Sequence, residues 1–301
     1  MNLVAVGWVP LFFSMALTAV SPAALAQPAS TAQPVVTRAS PQRLVVMGGT
    51  LTEIVYALGA GEQVVGVDQS SLHPPQARQL PQVGYYRQFS VEGVAALKPD
   101  RVIAAAESGP PPALDRLKAL GMPLALLELK PDVDSLTARI TELAALLGRQ
   151  PQGQALVGQI RQQVAEATRQ KHPLRVLVLS SHAGRLQGAG RDTAADALLK
   201  LLGATNVLAG THPGYRPLSP ESVAALQPEV ILTSRLSVAQ GGPATFLAQP
   251  GIVTTPAARA QHLVVLDDLL LLGFGPRVGE ALQQLASGLA QASPPKAAPA
   301  R

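Results

Sequence analysis

The sequence predicts an α/β protein of two similar lobes, each built on a mainly parallel sheet, joined by a single long rigid helix. Three observations predict it. First, the chain nearly repeats itself. Tyr86-Arg87-Gln88-Phe89-Ser90-Val91-Glu92, with Val94, Leu97, Pro99-Asp100 and Val102-Ile103 after it, returns as Tyr215-Arg216-Pro217-Leu218-Ser219-Pro220-Glu221, then Val223, Leu226, Pro228-Glu229 and Val230-Ile231. The offsets 215−86, 221−92 and 229−100 are all 129. That period is too long for a solenoid unit, so it marks two like domains, each with the same turn, short helix and strand. Second, short continuous apolar runs alternate with amphipathic stretches, the pattern of parallel sheets covered on both faces. Third, Val133–Lys171 carries no strand signal at all. Two like lobes imply a ligand held in the cleft between them.

The elements follow in order. Arg43–Met47, Val64–Val67, Arg101–Ala105 and Leu124–Leu129 are the expected strands of the first lobe. Arg175–Ser180, Val230–Thr233 and Leu263–Leu266 are those of the second. Helical patterns fall at Leu51–Leu58, Pro112–Leu120, Thr193–Leu202 and Pro276–Ala290. The strandless segment breaks once, at Gly148-Arg149-Gln150-Pro151, and Pro151 suits a first helical turn. Asp134 or Ser135 is positioned to cap the earlier helix. Ala155, Leu156, Ile160 and Val164 then recur at helical spacing. A helix of about twenty residues spans about 30 Å, which suits a strut between lobes. The expected organisation is an N-terminal lobe over 43–150, a linking helix over 151–171 and a C-terminal lobe over 172–292.

The ends differ in composition. Leu3–Val20 is apolar, and Ala24-Leu25-Ala26 is a small-x-small site before Gln27, so residues 1–26 form a secretory signal peptide cleaved near Ala26. The segment lacks the usual Lys or Arg near its start, and a retained anchor is the alternative. Residues 27–42 and 293–301 have the Ala, Pro, Ser and Gln bias of a disordered lead-in and tail. The 301-residue chain has no cysteine, which excludes thiolate metal sites, cysteine nucleophiles and disulfides; two large lobes must rest on their cores. The formal charge of +5 forms no phosphate-tracking cluster, so nucleic acid is not expected.

Candidate chemistry centres on Gly84-Tyr85-Tyr86-Arg87, two tyrosines before a Ser-x-Glu helix start. Tyrosine phenolate is an axial ligand for haem iron, and a neighbouring arginine favours the phenolate. The plainer reading buries one tyrosine and exposes the other. His182 follows a strand end, where cleft residues of open α/β sheets lie, although a lone histidine there is also an ordinary turn residue. The other histidines are scattered without metal-ligand spacing. Arg87 and Arg235 lie near strand ends and suit carboxylates. Arg191, in Gly188-Ala189-Gly190-Arg191-Asp192-Thr193, opens a helix after a tight glycine turn that lacks the Lys-Ser/Thr of a phosphate loop. Glu92 and Glu221 occupy matching helix starts. They either favour helix N-termini or meet a partner with paired arginines. The chain has no Gly-x-Ser-x-Gly, His-Glu-x-x-His or full dinucleotide motif, so the expectation is a carrier and not an enzyme.

Over about residues 43–290 the chain resembles the periplasmic haem-binding proteins of bacterial haem ABC importers, within the wider helix-linked group that serves vitamin B12 and ferric siderophores. The resemblance rests on Val83–Gly93, Ala189–Ala197, Gly214–Glu221 and Leu271-Leu272-Gly273-Phe274-Gly275-Pro276-Arg277. It implies two Rossmann-like lobes, haem as the transported ligand, and Tyr85 as the iron ligand with Tyr86 as runner-up. It further implies that Arg87 supports the phenolate or a propionate, that Arg235 faces the cleft from the second lobe, and that His182 lies near the haem. Glu92 and Glu221 match acids that dock on an inner-membrane permease dimer with its ATPase. The protein would be a periplasmic monomer. Whether haem arrives free or from an outer-membrane receptor system stays open. Phe89 stands where the family more often has Leu, a change harmless to packing. A siderophore or corrinoid carrier of the same fold is the alternative, with an exported enzyme behind it.

Overall fold

The computed structural model describes residues 42–182 and 185–292, without the side chain of His182. The expected signal peptide, lead-in and tail lie outside the described residues, apart from Gln42. The first part of the chain runs β1 (Leu44–Met47), α1 (Gly49–Ala57), β2 (Val64–Val67), β3 (Gly84–Tyr85), β4 (Gln88–Phe89), α2 (Val91–Ala96), β5 (Arg101–Ala105), α3 (Pro111–Ala119) and β6 (Leu124–Leu127). Two helices follow, α4 (Val133–Leu146) and α5 (Gln150–Ala167). The second part runs β7 (Arg175–His182), β8 (Arg185–Ala189), α6 (Ala194–Leu201), β9 (Thr205–Asn206), β10 (Tyr215–Pro217), α7 (Pro220–Ala225) and β11 (Val230–Ser234). It closes with α8 (Arg235–Val238), α9 (Gly242–Leu247), α10 (Pro256–Arg259), β12 (Leu263–Leu266), α11 (Asp268–Leu272) and α12 (Val278–Ala292).

Every predicted strand is present; the central ones are apolar runs buried on both faces, while the edge strands β6 and β12 are buried only in part. Leu44–Met47, Val102–Ala105 and Val230–Ser234 are buried throughout, as parallel strands require. The first sheet has the order β2-β1-β5-β6, all parallel. The second has the order β10-β8-β7-β11-β12, with β9 beside β7. Here β11 pairs in parallel with β7 and β12, while β8 and β10 add an antiparallel arm.

That arm is a difference from the sequence expectation. Arg185–Ala189 contains a glycine and Tyr215–Pro217 ends in proline, so neither carries a strand signal. Pro217 has no N–H to donate and sits on the edge strand, where that is tolerated. Arg191 does not open a helix: it lies in a loop bridged to Pro213, and Thr193 is the cap, its hydroxyl accepting from Asp196 N at 3.2 Å. Asp132, not Asp134 or Ser135, caps α4, because its carboxylate reaches Ser135 N at 2.7 Å. The sixth strand stops at Leu127, which frees Leu129 to face the cleft.

The 18 residues of α5 span about 27 Å. Its inward face is Gly153, Leu156, Ile160 and Val164; Ala155 is on the exposed side. It packs against α4 and α12. One apolar core runs from Leu44, Val46 and Ile103 through Ile140 and Ile160 to Val176, Val178, Val230 and Leu285. The alternate residues of the same strands feed separate outer clusters, Val45, Met47 and Val102 in one and Leu177, Leu179 and Ile231 in the other. The lobes therefore share their inner core, which resists relative motion as close-packed interiors do.

Candidate functional site

The tyrosine motif forms a tight hairpin. Gly84 pairs with Phe89 and Tyr85 with Gln88, leaving Tyr86-Arg87 as the turn. Gly84 has φ 101°, a conformation open to glycine at no steric cost. The buried carboxylate of Asp68 anchors the hairpin by accepting from Tyr86 N at 3.2 Å. The same carboxylate accepts from Gly48 N, Ser70 N and the hydroxyls of Ser70 and Ser71. One side chain thus fixes the end of β1, the loop after β2 and the hairpin together, and nothing in its sequence context marks it out.

Tyr85 is 42% exposed. Its ring meets Tyr86 edge-on, with centroids 4.7 Å apart. Burial, then hydrogen bonding with Tyr85, pushes the Tyr86 phenol well above its ordinary range. Tyr86 is therefore a neutral phenol, and Tyr85 is the more exposed ring of the two. The Arg87 guanidinium stands 5.2 Å over the Tyr86 ring and 3.7 Å from Glu107.

Tyr85, Tyr86 and Arg87 line a cleft of about 660 Å³ between the two sheets. It is built at the carboxyl ends of parallel strands: Gly48 follows β1, Leu129 follows β6, Leu236 follows β11 and Asp268 follows β12. This is where open α/β sheets hold ligands, and the volume is that of a small-molecule site. Large apolar side chains left exposed cluster here. Leu72, Tyr85, Leu236 and Leu272 are all exposed and all line the cleft. Phe274 and Leu269 add apolar wall from the second lobe.

Polar groups share the wall, among them Arg87, Arg139 and the carboxyls of Glu107, Asp192 and Asp268. Arg139 is buried and donates to the carbonyls of Glu128 at 2.7 Å and Phe274 at 3.1 Å. Its Nε, the hydroxyl of Tyr215 and Oδ1 of Asp268 are buried in the wall without a hydrogen-bond partner. Burial pushes the Tyr215 phenol up to about 12, so it is a neutral donor.

The structure thus brings together Tyr85, Tyr86 and Arg87. Arg235 sits exposed at the start of α8, next to Leu236, and is not itself part of the cleft wall. The backbone of His182 ends β7 opposite Arg185, and its side chain lies outside the described residues. Glu92 and Glu221 stand exposed in the first turns of α2 and α7, away from the cleft. Glu92 is 3.8 Å from Arg116. Hydrogen bonds from its own backbone N–H and the Ser219 hydroxyl hold the Glu221 carboxyl below the usual range. Arg139, Tyr215 and Leu236 were missed. For Arg139 a signal existed: it falls on the apolar face of a helix between Leu136, Ile140 and Leu143, where a charge must be buried and partnered.

The chain matches the model of periplasmic binding proteins over residues 44–270. With its two-lobed fold and interlobe cleft, it belongs to that family of substrate-binding proteins. Among solved structures it is similar to the periplasmic haem-binding protein RhuT from Roseiflexus sp. RS-1 in its apo form: 39% identity, TM-score 0.78, covering 83% of this chain and 98% of that one. It is also similar to a periplasmic haem-binding protein from Pseudomonas aeruginosa, at 38% identity and TM-score 0.76, covering 86% and 96%. Among curated proteins it is 29% identical to the vitamin B12-binding protein of Pectobacterium atrosepticum, over 84% of this chain and 90% of that one.

Proposed function

We propose that this protein captures haem in the interlobe cleft, with Tyr85 as axial ligand to the iron, and delivers it to an inner-membrane ABC permease. The observation that carries this reading is the exposed Tyr85 set among exposed Leu72, Leu236 and Leu272 in one cleft. A large planar ligand with apolar faces and an open metal position matches that wall. Arg87, at the mouth, offers charge to a phenolate or a propionate; Arg235 would reach the ligand only from outside the present wall. The haem-binding names of the solved relatives support the same ligand. The lobe boundaries 43–150 and 172–292, export behind a cleaved leader, and action as a monomeric carrier that returns its ligand unchanged all belong to this reading.

The experiment is a hemin titration of the purified protein followed in the visible spectrum. A saturable Soret change of high-spin ferric, tyrosinate type is expected, and a flat titration of folded protein at micromolar hemin overturns the reading. His182→Ala should keep most affinity for a first haem. A wild-type low-spin spectrum lost in that variant would make the histidine an axial ligand instead. The second reading is a corrinoid carrier, favoured by the curated B12-binding relatives. Cyanocobalamin in the same titration distinguishes the two.

A further inference from the structure

The segment Gly273–Arg277 joins α11 to α12 and does more than connect them. Its cleft side, Gly273 and Phe274, lines the cavity. Its other side is fastened to the first lobe at two places. Phe274 O accepts from the buried Arg139, whose other terminal nitrogen donates to Glu128 O just after β6. Arg277 Nε donates to Glu53 Oε1 at 2.9 Å, and Glu53 is buried on α1 of the first lobe. From the second lobe, Asp267 at 3.4 Å and Glu280 at 3.6 Å hold the same guanidinium. Both glycines are needed for this closeness. A Cβ on Gly273 would stand 2.8 Å from Thr50 Oγ1, and one on Gly275 would stand 2.7 Å from Glu53 Oε2.

We propose that Gly273–Arg277 is a strap that fixes the two lobes at the floor of the cleft, with Arg277–Glu53 and Arg139–Phe274 as its fastenings, and so sets the width of the ligand site before ligand arrives. These are positioning residues: they hold the walls that touch ligand. A buried charge that loses its partner is strongly destabilising, whereas the pair itself adds little net stability. That asymmetry suits a device for geometry. Only the ligand-release part of the test rests on the haem reading.

The absence of native cysteine makes spin labels at exposed Leu120→Cys and Val253→Cys, one on each lobe, site-specific. The interlobe distance in unmodified background should be narrow and the same with and without hemin. Glu53→Ala removes the acceptor that holds Arg277, and Gly275→Ala pushes the strap off Glu53 without touching a charge. Each should broaden or lengthen the ligand-free distance distribution. Each should also speed hemin release by about tenfold while leaving the tyrosinate spectrum in place. Arg277→Ala should do the same more strongly if it folds. Folded Glu53→Ala and Gly275→Ala proteins with unchanged distances overturn the proposal, whatever their melting temperatures, and so does a distance that shifts when hemin binds the parent. If hemin does not bind at all, the haem reading falls, and the ligand-free distances still decide the strap.

Discussion

The hairpin-helix-strand unit of the first lobe and its copy in the second agree in small details, then part at one place. At the offset of 129, α2 and α7 start at 91 and 220, and β5 and β11 at 101 and 230. Ser90 and Ser219 cap the two helices through Gly93 N and Ser222 N. Lys98 and Gln227 leave them with φ 46° and 45°. Asp100 and Glu229 accept from Arg43 N and Arg175 N, and those two guanidiniums donate to Leu97 O and Leu226 O. The parting comes just before. In the first lobe the chain doubles back as β3–β4 and presents Tyr85 to the cleft. In the second, Tyr215 joins β8 as a strand and is half-buried, with its hydroxyl buried. At the same offset, the counterpart of Tyr85 is Gly214. The frame is duplicated, and the exposed tyrosine belongs to one lobe only.

The largest expected effect breaks that asymmetry directly. Tyr85→Ala should weaken hemin affinity by about a hundredfold, or about 3 kcal/mol, and abolish the tyrosinate spectrum. Tyr215→Phe should leave that spectrum unchanged, and Tyr86→Ala should do less than Tyr85→Ala. If Tyr86→Ala is the worse, the ligand is the buried ring and the comparison is off by one position.

A second contrast concerns the pair that ties the lobes together. Burial, against the pull of Arg277 and with Asp267 and Glu280 adding to it, raises the Glu53 carboxyl from 4.5 to about 7. Between those values the folded protein holds a proton that the unfolded chain has lost. Stability from this group is therefore greatest at the acid end and falls as pH rises through about 7. Melting temperatures measured from pH 5 to pH 8 should show the parent losing ground relative to Glu53→Gln. A flat difference would mean that the carboxyl is ionised throughout.

The duplicated caps sharpen the likeness. Ser90→Ala and Ser219→Ala should each cost about 1 kcal/mol, and denaturant melts should give equal values within a few tenths. A large inequality would show that the two copies are not equivalent frames. The smallest effects on the protein itself belong to Glu92→Gln and Glu221→Gln. Both side chains are exposed, so the double variant should bind hemin normally and fold with little change. Its haem transfer to a reconstituted importer should fall at low salt, and the gap to the parent should narrow at high salt, which screens the parent's own contact. Full transfer would leave the two acids as helix-start charges.

Much of this was legible in the chain. The repeat sets the element positions to the residue, because the same turn, cap and strand chemistry is written twice. Fully buried strands such as Leu44–Met47 declare themselves as apolar runs. The antiparallel arm does not, since Arg185–Ala189 and Tyr215–Pro217 are short and carry glycine and proline; their pairing comes from the neighbouring strand, not from propensity. In the site, the tyrosine pair is visible as a motif, but which ring is free depends on Asp68 and Gly109 holding the hairpin backbone. Leu72 and Leu129 of the first lobe face Leu236, Leu272 and Phe274 of the second across one cleft only when the lobes meet.

The most direct measurement of the central claim is the visible spectrum of hemin added to the parent protein and to Tyr85→Ala side by side. The parent should give a saturable, high-spin ferric tyrosinate spectrum that is lost in the variant, with both proteins folded. Identical spectra, or no hemin bound by the folded parent, would contradict it.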